Sequence, residues 1–189
     1  MSIAPATKTD PQETLARWEA DEQRVRASLA KEPGWARPEQ LAGRSGIEQL
    51  QGIFTGEIGR PPIGQLMDFL PVEITPGYAV FQGRPSKRHY NPLGTVHGGW
   101  FATLLDSALG VAVHSALPAG KGYTTLELKV NMIRALTDKV PLVRAEGRII
   151  HLGGQTATAD ARLVGPDGRL YAHASTTCLV FDSRAQSEA

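Results

Sequence analysis

One acidic residue, Asp106, stands in a part of the chain where a charge is unexpected. From Trp100 to Pro118 there is no helix-breaking residue and apolar side chains dominate, which predicts a buried helix that begins near His97–Gly99. Its polar and small positions form one narrow stripe, which comprises Thr103, Asp106, Ser107, Gly110 and His114. A buried carboxylate is costly unless it is paired or used. Asp106 is therefore a candidate general base or nucleophile, although a satisfied buried carboxylate is the structural alternative.

The start of this helix offers a second kind of chemistry. Asn91-Pro92 and Gly94 predict a turn, and Gly98-Gly99 open the helix. The first N–H groups of a helix have no partner within it and lie at the positive end of its dipole. Glycine lets a ligand approach these groups closely, and one donor placed on an oxyanion contributes about 2.7–4 kcal/mol in acyl transfer. A plain helix entry is the alternative for the glycines, and an ordinary turn is the alternative for Asn91.

The elements that must position these residues are mostly strands. Alternating residues between turn signals predict strands at 70–75, 78–84, 124–133, 142–151, 156–164 and 170–181. The strands are joined by short turns, which favours an antiparallel sheet, and a single apolar helix has to be covered on several sides. We therefore predict an α+β fold in which a curved sheet of about six strands wraps around one long helix. Strict alternation in 124–133 places Thr124 on the apolar face and Thr125 on the polar face.

The chain divides into three predicted parts: a helical extension over 1–44, a main domain over 45–182 and a flexible tail over 183–189. Asp10, Pro11 and Glu13 predict the start of a helix that ends at Pro33-Gly34. Its apolar stripe is thin and consists of Leu15, Trp18, Val25 and Leu29. This helix could pack on the main domain or on a partner subunit, but we favour a solvated appendage. A capping box at Ser45 and Glu48 opens the next helix.

Composition excludes several classes of protein. Twenty Lys and Arg against 19 Asp and Glu give a net charge of +1, which does not suggest a nucleic-acid or membrane surface. The single cysteine, Cys178, excludes an intrachain disulfide framework, and no metal-binding spacing is present. Charged residues occupy the N-terminal region where a signal peptide needs an apolar core. We expect a cytoplasmic protein that binds no metal and needs no cofactor.

The arrangement of Asn91, His97-Gly98-Gly99 and Asp106 resembles that of the PaaI-like acyl-CoA thioesterases, which have the hotdog fold. The resemblance covers about residues 45–181 and includes Pro61-Pro62-Ile63-Gly64 and the strand that begins at Thr124. It implies hydrolysis of an acyl-CoA thioester to the free acid and coenzyme A. The helix at 10–30 falls outside the usual core of this family.

The resemblance also implies a role for each residue of the motif. The N–H of Gly98 would polarise the thioester carbonyl, and Asp106 would be the nucleophile or the general base on water. Asn91 would position the water or the thioester, and Thr125 would assist. The substrate would further contact three residues, namely His97, Gly99 and Thr124. The choice between Thr124 and Thr125 stays open, as does helix capping as the role of His97.

Distance adds a constraint on the assembly. Gly98 and Asp106 are eight residues apart, which is ~12 Å along a helix, so that one carbonyl carbon cannot contact both within one chain. Either Asp106 acts through water, or Gly98 of one chain lies near Asp106 of another. The second arrangement is the one implied by the hotdog thioesterases. We predict a homodimer with sites between subunits, and pairing of dimers into a tetramer is an open alternative.

Two other functions remain as alternatives. A non-catalytic acyl-CoA-binding module would not require a buried acid, and a hydratase or dehydratase would need a histidine closer to Asp106 than His114. We expect the acyl pocket to be lined in part by Trp100, Phe101 and Leu104. The basic residues Arg84, Lys87 and Arg88 could bind the phosphates of coenzyme A, although we favour a solvated turn.

Overall fold

Residues 10–29 and 32–183 are described by a computed structural model. The helices are α1 (Pro11–Ser28), α2 (Pro38–Leu41), α3 (Gly46–Phe54), α4 (Pro62–Leu66) and α5 (Gly98–Ser115). The strands are β1 (Phe69–Thr75), β2 (Tyr78–Gly83), β3 (Lys121–Met132), β4 (Val143–Leu152), β5 (Thr156–Val164) and β6 (Leu170–Asp182). None of the helices within these residues is long and apolar enough to span a membrane. The predicted tail beyond residue 183 lies outside the described residues.

The six strands form one antiparallel sheet in the order β1-β2-β4-β5-β6-β3, and α5 packs against it. Helix α5 contacts all six strands, because the sheet curves around it. The fold class predicted from the sequence is thereby confirmed. The main core is formed by the inner face of the sheet and by the apolar residues of α5, of which Leu104, Leu105 and Leu109 are fully buried. Each fully buried leucine contributes about 1.5–3 kcal/mol.

Helix α5 and strand β4 lie unusually close together at Gly147. A Cβ atom at this position would come within 2.4 Å of the carbonyl oxygen of Ala108. Glycine in β4 and alanine in α5 therefore let the two backbones approach each other. This contact fixes the middle of α5, where Asp106 stands, against the centre of the sheet.

Strand β3 contains a β-bulge that the sequence pattern does not reveal. Thr125 pairs with Cys178 and Glu127 pairs with Thr177, so that Leu126 is an extra residue in β3. The bulge reverses the alternation of faces. Before it Thr125 faces α5, and beyond it Leu128 packs on the core. The predicted strict alternation is wrong for this reason, and Leu126, expected on the apolar face, is 61% exposed.

Helix α1 packs on the outer face of the sheet, opposite α5. Trp18 is 5% exposed and clusters with Leu142 and Val164, while Val25 clusters with Val80 of β2. Val80 lies between two residues of the inner core, so its side chain is on the other side of the sheet. The interpretation of α1 as a solvated appendage is wrong. The predicted cap is present, since the side chain of Asp10 accepts from the N–H of Gln12.

A buried carboxylate joins α1 to the sheet. Glu22 accepts hydrogen bonds from Arg26 at 2.8 Å, from Arg84 at 3.0 Å and from Gln82 at 3.1 Å. Arg144 donates to Gln82 and lies 4.6 Å from the ring centre of Trp18. The contact therefore combines apolar packing with a hydrogen-bonded group of ionic side chains, which explains why a thin apolar stripe is enough to hold the helix.

Candidate active site

Asp106 is in the middle of α5, on the side where the helix is least covered by the sheet. It is partly buried, and its Oδ1 accepts a hydrogen bond from the hydroxyl of Thr125 at 3.1 Å. The bulge in β3 makes this contact possible, because it brings Thr125 onto the same face as the core residues further along the strand. Of the two threonines considered, Thr125 is thus the one beside Asp106. Thr124 is exposed and lies on the opposite face of β3.

Asp106 and Thr125 line a cavity of about 230 Å³. Its wall is mainly apolar and is formed by α3, α4, β1, β2 and α5, with Ile53, Ile63, Phe69, Phe81 and Val111 among the lining residues. Its polar lining comprises Arg60, Asp106, Ser107, Tyr123 and Thr125. A small number of polar groups in an apolar concave wall is the usual composition of a small-molecule site.

The phenol of Tyr123 is a polar group of this cavity that the sequence did not indicate. Burial, followed by the charges of Cys178 and Asp106, raises the pKa of Tyr123 well above its usual value of 10.0. The hydroxyl therefore keeps its proton. A Cβ at Gly110 would lie 2.7 Å from the hydroxyl oxygen, so glycine at this position makes room for the ring. The predicted strand began one residue too late to include Tyr123.

The N-terminus of α5 has one main-chain donor available for a ligand. His97 is the N-cap residue, and its Nδ1 accepts from the N–H of Gly99 at 2.8 Å. The N–H of Trp100 is bonded to the carbonyl of His97. Between residues that the structure describes, no hydrogen bond uses the N–H of Gly98. His97 therefore caps the helix, Gly99 is engaged by that cap, and Gly98 is the free donor of the three.

Asn91 holds the loop before α5. Its side-chain oxygen accepts from the N–H groups of Leu93 at 2.9 Å and Thr95 at 3.3 Å, and its Nδ2 donates to the hydroxyl of Thr95 at 3.0 Å. Its main-chain N–H also donates to the carbonyl of Thr95. Within the protomer, Asn91 is therefore a turn-forming residue at the same end of α5 as Gly98.

The three large residues expected in the pocket lie elsewhere. Trp100, Phe101 and Leu104 are at most 3% exposed and are packed between α5 and the sheet. None of them lines the cavity beside Asp106. This expectation is wrong because the apolar side of α5 faces the sheet, while the cavity lies along its polar stripe.

Two further surfaces bear on ligand binding. Of the three basic residues that could bind phosphates, Arg84 is paired with Glu22. The other two, Lys87 and Arg88, are exposed. A wide cleft of about 1000 Å³ adjoins the cavity and shares Tyr123 with it. Its lining includes Trp35, Arg37, Gln49, His114, Lys121 and Phe181. A cleft of this size can take a ligand much larger than the cavity could hold.

The protomer thus brings some of the predicted site residues together and separates others. Asp106 and Thr125 are in contact, and Gly98, His97, Gly99 and Asn91 are grouped at the start of α5. The two groups are separated by eight helical residues, or ~12 Å of helix rise. One group offers a carboxylate, and the other offers a main-chain N–H that no hydrogen bond between described residues uses.

Comparison with known proteins bears on the family and the fold of the chain. Residues 93–172, which run from the loop before α5 into β6, match the family model described as "Thioesterase superfamily". Solved structures with the same architecture include the PaaI protein of the Escherichia coli phenylacetic acid degradation operon. At 18% identity and a TM-score of 0.59, over 65% of this chain and 86% of that one, it shows the fold alone. The fold is the hotdog fold of the PaaI-like thioesterases. The resemblance predicted from the motif is confirmed.

Two further proteins are similar in sequence to this hotdog domain. A variant of PaaI from Thermus thermophilus is 27% identical with a TM-score of 0.56, and the match covers 62% of this chain and 97% of that one. An esterase candidate of Archaeoglobus fulgidus is 32% identical over 94 residues, which is 50% of this chain and 58% of the relative. The chain spans about half the length of the curated relatives it matches.

Proposed function

We propose that this protein hydrolyses the thioester bond of an acyl-CoA and releases the free acid and coenzyme A. One observation carries the proposal: the carboxylate of Asp106, bonded to the hydroxyl of Thr125 at 3.1 Å, lines an otherwise mainly apolar cavity. The match to the thioesterase superfamily supports it. A hypothetical thioesterase of Streptococcus pneumoniae TIGR4, 25% identical with a TM-score of 0.55, was crystallised with coenzyme A, which favours the same ligand here; the match covers 61% of this chain and 88% of that one.

In the proposed reaction, the N–H of Gly98 donates to the thioester carbonyl and Asp106 provides the base. As a general base, Asp106 takes a proton from water while the water oxygen attacks the carbonyl carbon. The oxyanion then collapses, the C–S bond breaks, and the proton passes to the leaving sulfur of coenzyme A. As a nucleophile, Asp106 would form an anhydride that water then hydrolyses. Thr125 holds the carboxylate in position in both versions, and neither version requires a metal or a redox cofactor.

Labelled water distinguishes the two roles of Asp106. After a single turnover in water enriched in ¹⁸O, the nucleophile mechanism leaves the label in the Asp106 carboxylate when water attacks the aspartyl carbonyl of the anhydride, because the acid then takes one oxygen from that side chain. The general-base mechanism puts the label only into the released acid. Mass spectrometry of the peptide that contains Asp106 reads the difference directly.

A complete site in this proposal requires two copies of the chain. We infer a homodimer in which the start of α5 of one protomer lies near Asp106 of the other, so that the dimer has two equivalent sites. Sedimentation equilibrium is expected to give a dimer or a tetramer made of two dimers. An active monomer would refute this part of the proposal.

The cavity limits the acyl group that fits. Its volume is about 230 Å³, and an apolar cavity of about 150 Å³ is enough to hold benzene. A short chain or a single ring therefore fits beside Asp106, whereas a long fatty acyl chain does not. The pantetheine arm and the nucleotide would extend from the site on the other side of the thioester.

Release of free thiol from a panel of short-chain and aromatic acyl-CoAs tests the proposal. The wild-type protein is expected to turn over at least one member of the panel, and Asp106→Asn is expected to bind the same compound without hydrolysing it. Binding without turnover by the wild-type protein would favour a non-catalytic acyl-CoA-binding module instead.

A further inference from the structure

The cavity beside Asp106 contains a second charged residue that the proposed reaction does not use. Among the lining residues that the structure describes, Arg60 and Asp106 are the two that carry a charge. They are not paired with each other, since no N···O distance between them is within 4.0 Å. The two charged residues therefore belong to different parts of the cavity wall.

Arg60 is held in place by its backbone while its side chain lacks a partner at one nitrogen. It precedes α4, and its carbonyl oxygen accepts from the N–H of Gly34 at 2.8 Å. The Nε of Arg60 is buried and has no hydrogen-bond partner. Arg44, which precedes α3, differs, because it forms an ion pair with Glu57 at 2.6 Å on the surface.

An unpartnered N–H in this setting indicates a ligand group. Buried polar groups in folded proteins almost always have a hydrogen-bond partner, and a charge in an apolar wall is costly without one. The lining of the cavity is mainly apolar, with Leu50, Ile53 and Ile63 among its residues. Arg60 as a residue is partly exposed, and an anion bound in the cavity would give its guanidinium an acceptor, since the planar guanidinium fits a carboxylate in two-point contact.

We infer that the acyl group of the preferred substrate carries a carboxylate at the end remote from the thioester. This inference rests on the proposed thioesterase function and specifies its substrate class: CoA monothioesters of dicarboxylic acids. The thioester would lie at Asp106 and the free carboxylate at Arg60, with the intervening carbon chain against Phe69 and Phe81.

The phosphates of coenzyme A are a poorer match to Arg60. The cavity of about 230 Å³ is below the roughly 300–1,000 Å³ of sites for larger ligands, whereas the adjoining cleft is about 1000 Å³. The nucleotide therefore fits the cleft and not the cavity. Two cations line that cleft, the partly exposed Lys121 and the exposed Arg37, and their ion pairs with Asp182 and Glu39 lie at the surface. Arg60, with its buried Nε, is left for a small anionic group that enters with the acyl chain.

The test compares matched pairs of substrates. For each chain length from four to eight carbons, kcat/KM is measured for the CoA monothioester of the unbranched dicarboxylic acid and for the neutral acyl-CoA of equal length. The wild-type protein is expected to prefer the dicarboxylic member at least about 10-fold at one or more lengths, because the neutral chain leaves Arg60 unpaired. Arg60→Met, which keeps an unbranched apolar side chain and removes the charge, is expected to invert this preference, and Arg60→Lys is expected to retain part of it.

Arg44→Gln is the control, since it removes an arginine that does not line the cavity, and its preference is expected to equal that of the wild type. A wild-type preference for neutral chains at every length overturns the inference. So does an Arg60→Met variant in which both members of each pair change equally.

The experiment distinguishes failure of the proposed thioesterase function from failure of this inference about the substrate. If no thioester is hydrolysed, calorimetric binding of the same pairs to wild type and Arg60→Met replaces kcat/KM. An Arg60-dependent preference in binding then supports the inference alone, and equal binding refutes it.

Discussion

Asp106 and Thr125 form the part of the site that a single protomer completes. The hydroxyl of Thr125 is a donor to a carboxylate, and hydrogen bonds to charged groups contribute about 1.5–3 kcal/mol. The bond restrains one oxygen of the carboxylate on its apolar helix. In the proposed mechanism, Thr125 positions Asp106, and the second oxygen of the carboxylate receives the proton of the attacking water.

Removal of this hydroxyl is expected to lower activity without changing the fold. Thr125→Val keeps the shape of the side chain, and we expect kcat to fall about 10- to 100-fold with KM little changed. Thr125→Ser is expected to recover most of the loss. Thr124→Val is the control, because Thr124 is exposed on the other face of the bulged strand. Equal losses in the two valine variants would show that strand stability, and not the contact with Asp106, is being measured.

Replacement of the carboxylate itself is expected to have a larger effect. Asp106→Asn is isosteric and can still accept from Thr125, so we expect normal folding and a fall in kcat of at least about 10²-fold. Asp160→Asn removes an exposed carboxylate from β5 and is expected to leave kcat unchanged. A mutant that retains a tenth or more of the wild-type kcat would exclude Asp106 as base or nucleophile.

The sequence predicts individual residues well where the signal is local. Asp106 stands out by its apolar neighbours, and His97-Gly98 mark the start of the helix within a residue. The choice between Thr124 and Thr125 could not be made in this way. It depends on a bulge at Leu126, which results from the pairing of β3 with a strand about fifty residues later. Arg60 was missed for a similar reason, since its place in the cavity wall arises from elements distant in the sequence.

At the scale of elements, α1 is an integral part of the domain in the structure. It covers the outer face of the sheet with Trp18 and Val25, and its buried Glu22 is paired with Arg26 of the same helix and with Arg84, which follows β2. Leu29, the C-cap residue of this helix, also lines the cavity. Loss of α1 would therefore expose apolar strand residues and remove part of the wall of the site.

Trp18 and Trp35 are a matched pair for testing this packing. Trp18→Ala is expected to lower the free energy of unfolding by about 3–5 kcal/mol, because a 5% exposed side chain leaves a cavity against Leu142 and Val164. Trp35 is 82% exposed, and Trp35→Ala is expected to change stability by less than about 0.5 kcal/mol. Urea titration measures both. If Trp18→Ala lowered the free energy of unfolding as little as Trp35→Ala, α1 would not be docked on the sheet in solution.

The ionic part of the α1 contact is expected to depend on pH. Burial disfavours the charge of Glu22, but hydrogen bonding from Arg26 and the charges of Arg84 and Arg26 outweigh it and hold the pKa of Glu22 below its usual 4.5. A carboxyl group whose pKa is lowered by folding stabilises the folded state at pH values above its ordinary pKa. This stabilisation is lost as the pH falls through the lowered pKa.

Glu22→Gln isolates this effect. The wild type is expected to be more stable than Glu22→Gln at pH 7, and the difference is expected to shrink steadily below about pH 4.5 as Glu22 binds a proton. Denaturant titrations of both proteins between pH 3 and pH 7 provide the comparison. A difference that does not vary with pH would show that Glu22 is not ionised in the folded protein.

The strands themselves were largely predictable. Turns and period-two patterns give the strand bounds to within three residues, because these signals act over short distances. The docking of α1 was not predictable, because its stripe is thin and much of its contact consists of polar partners. Those partners, Arg84, Gln82 and Arg144, are sixty residues or more away in the sequence.

At the scale of the whole molecule, two features bear on the proposed dimer. Strand β3 is at one edge of the sheet, where no further strand of the described residues pairs with it, and it carries the exposed Leu126 and Met132. The two ends of the site are ~12 Å apart on one rigid helix, and so cannot close on one carbonyl. Both features are expected of a protomer that pairs with a second copy.

The N–H of Gly98 can be removed with little other change. Gly98 is the first residue of α5, where proline is tolerated, and His97 has the extended conformation (φ −63°, ψ 138°) that a residue before proline requires. Gly98→Pro deletes the donor, whereas Gly98→Ala keeps it. Both variants place a Cβ near the flexible end of Met132, so their comparison isolates the N–H. We expect Gly98→Pro to lose about 10²-fold or more in kcat and Gly98→Ala to lose much less.

The most direct test of the shared site mixes two inactive variants. Asp106→Asn and Gly98→Pro chains, co-expressed with different tags, give mixed dimers that are purified through both tags. If each site uses Gly98 of one chain and Asp106 of the other, the mixed dimer has one intact site and is expected to show about half of the wild-type activity per dimer. Mixed dimers as inactive as the two parent variants would contradict the account, because they would place both groups of every site in one chain.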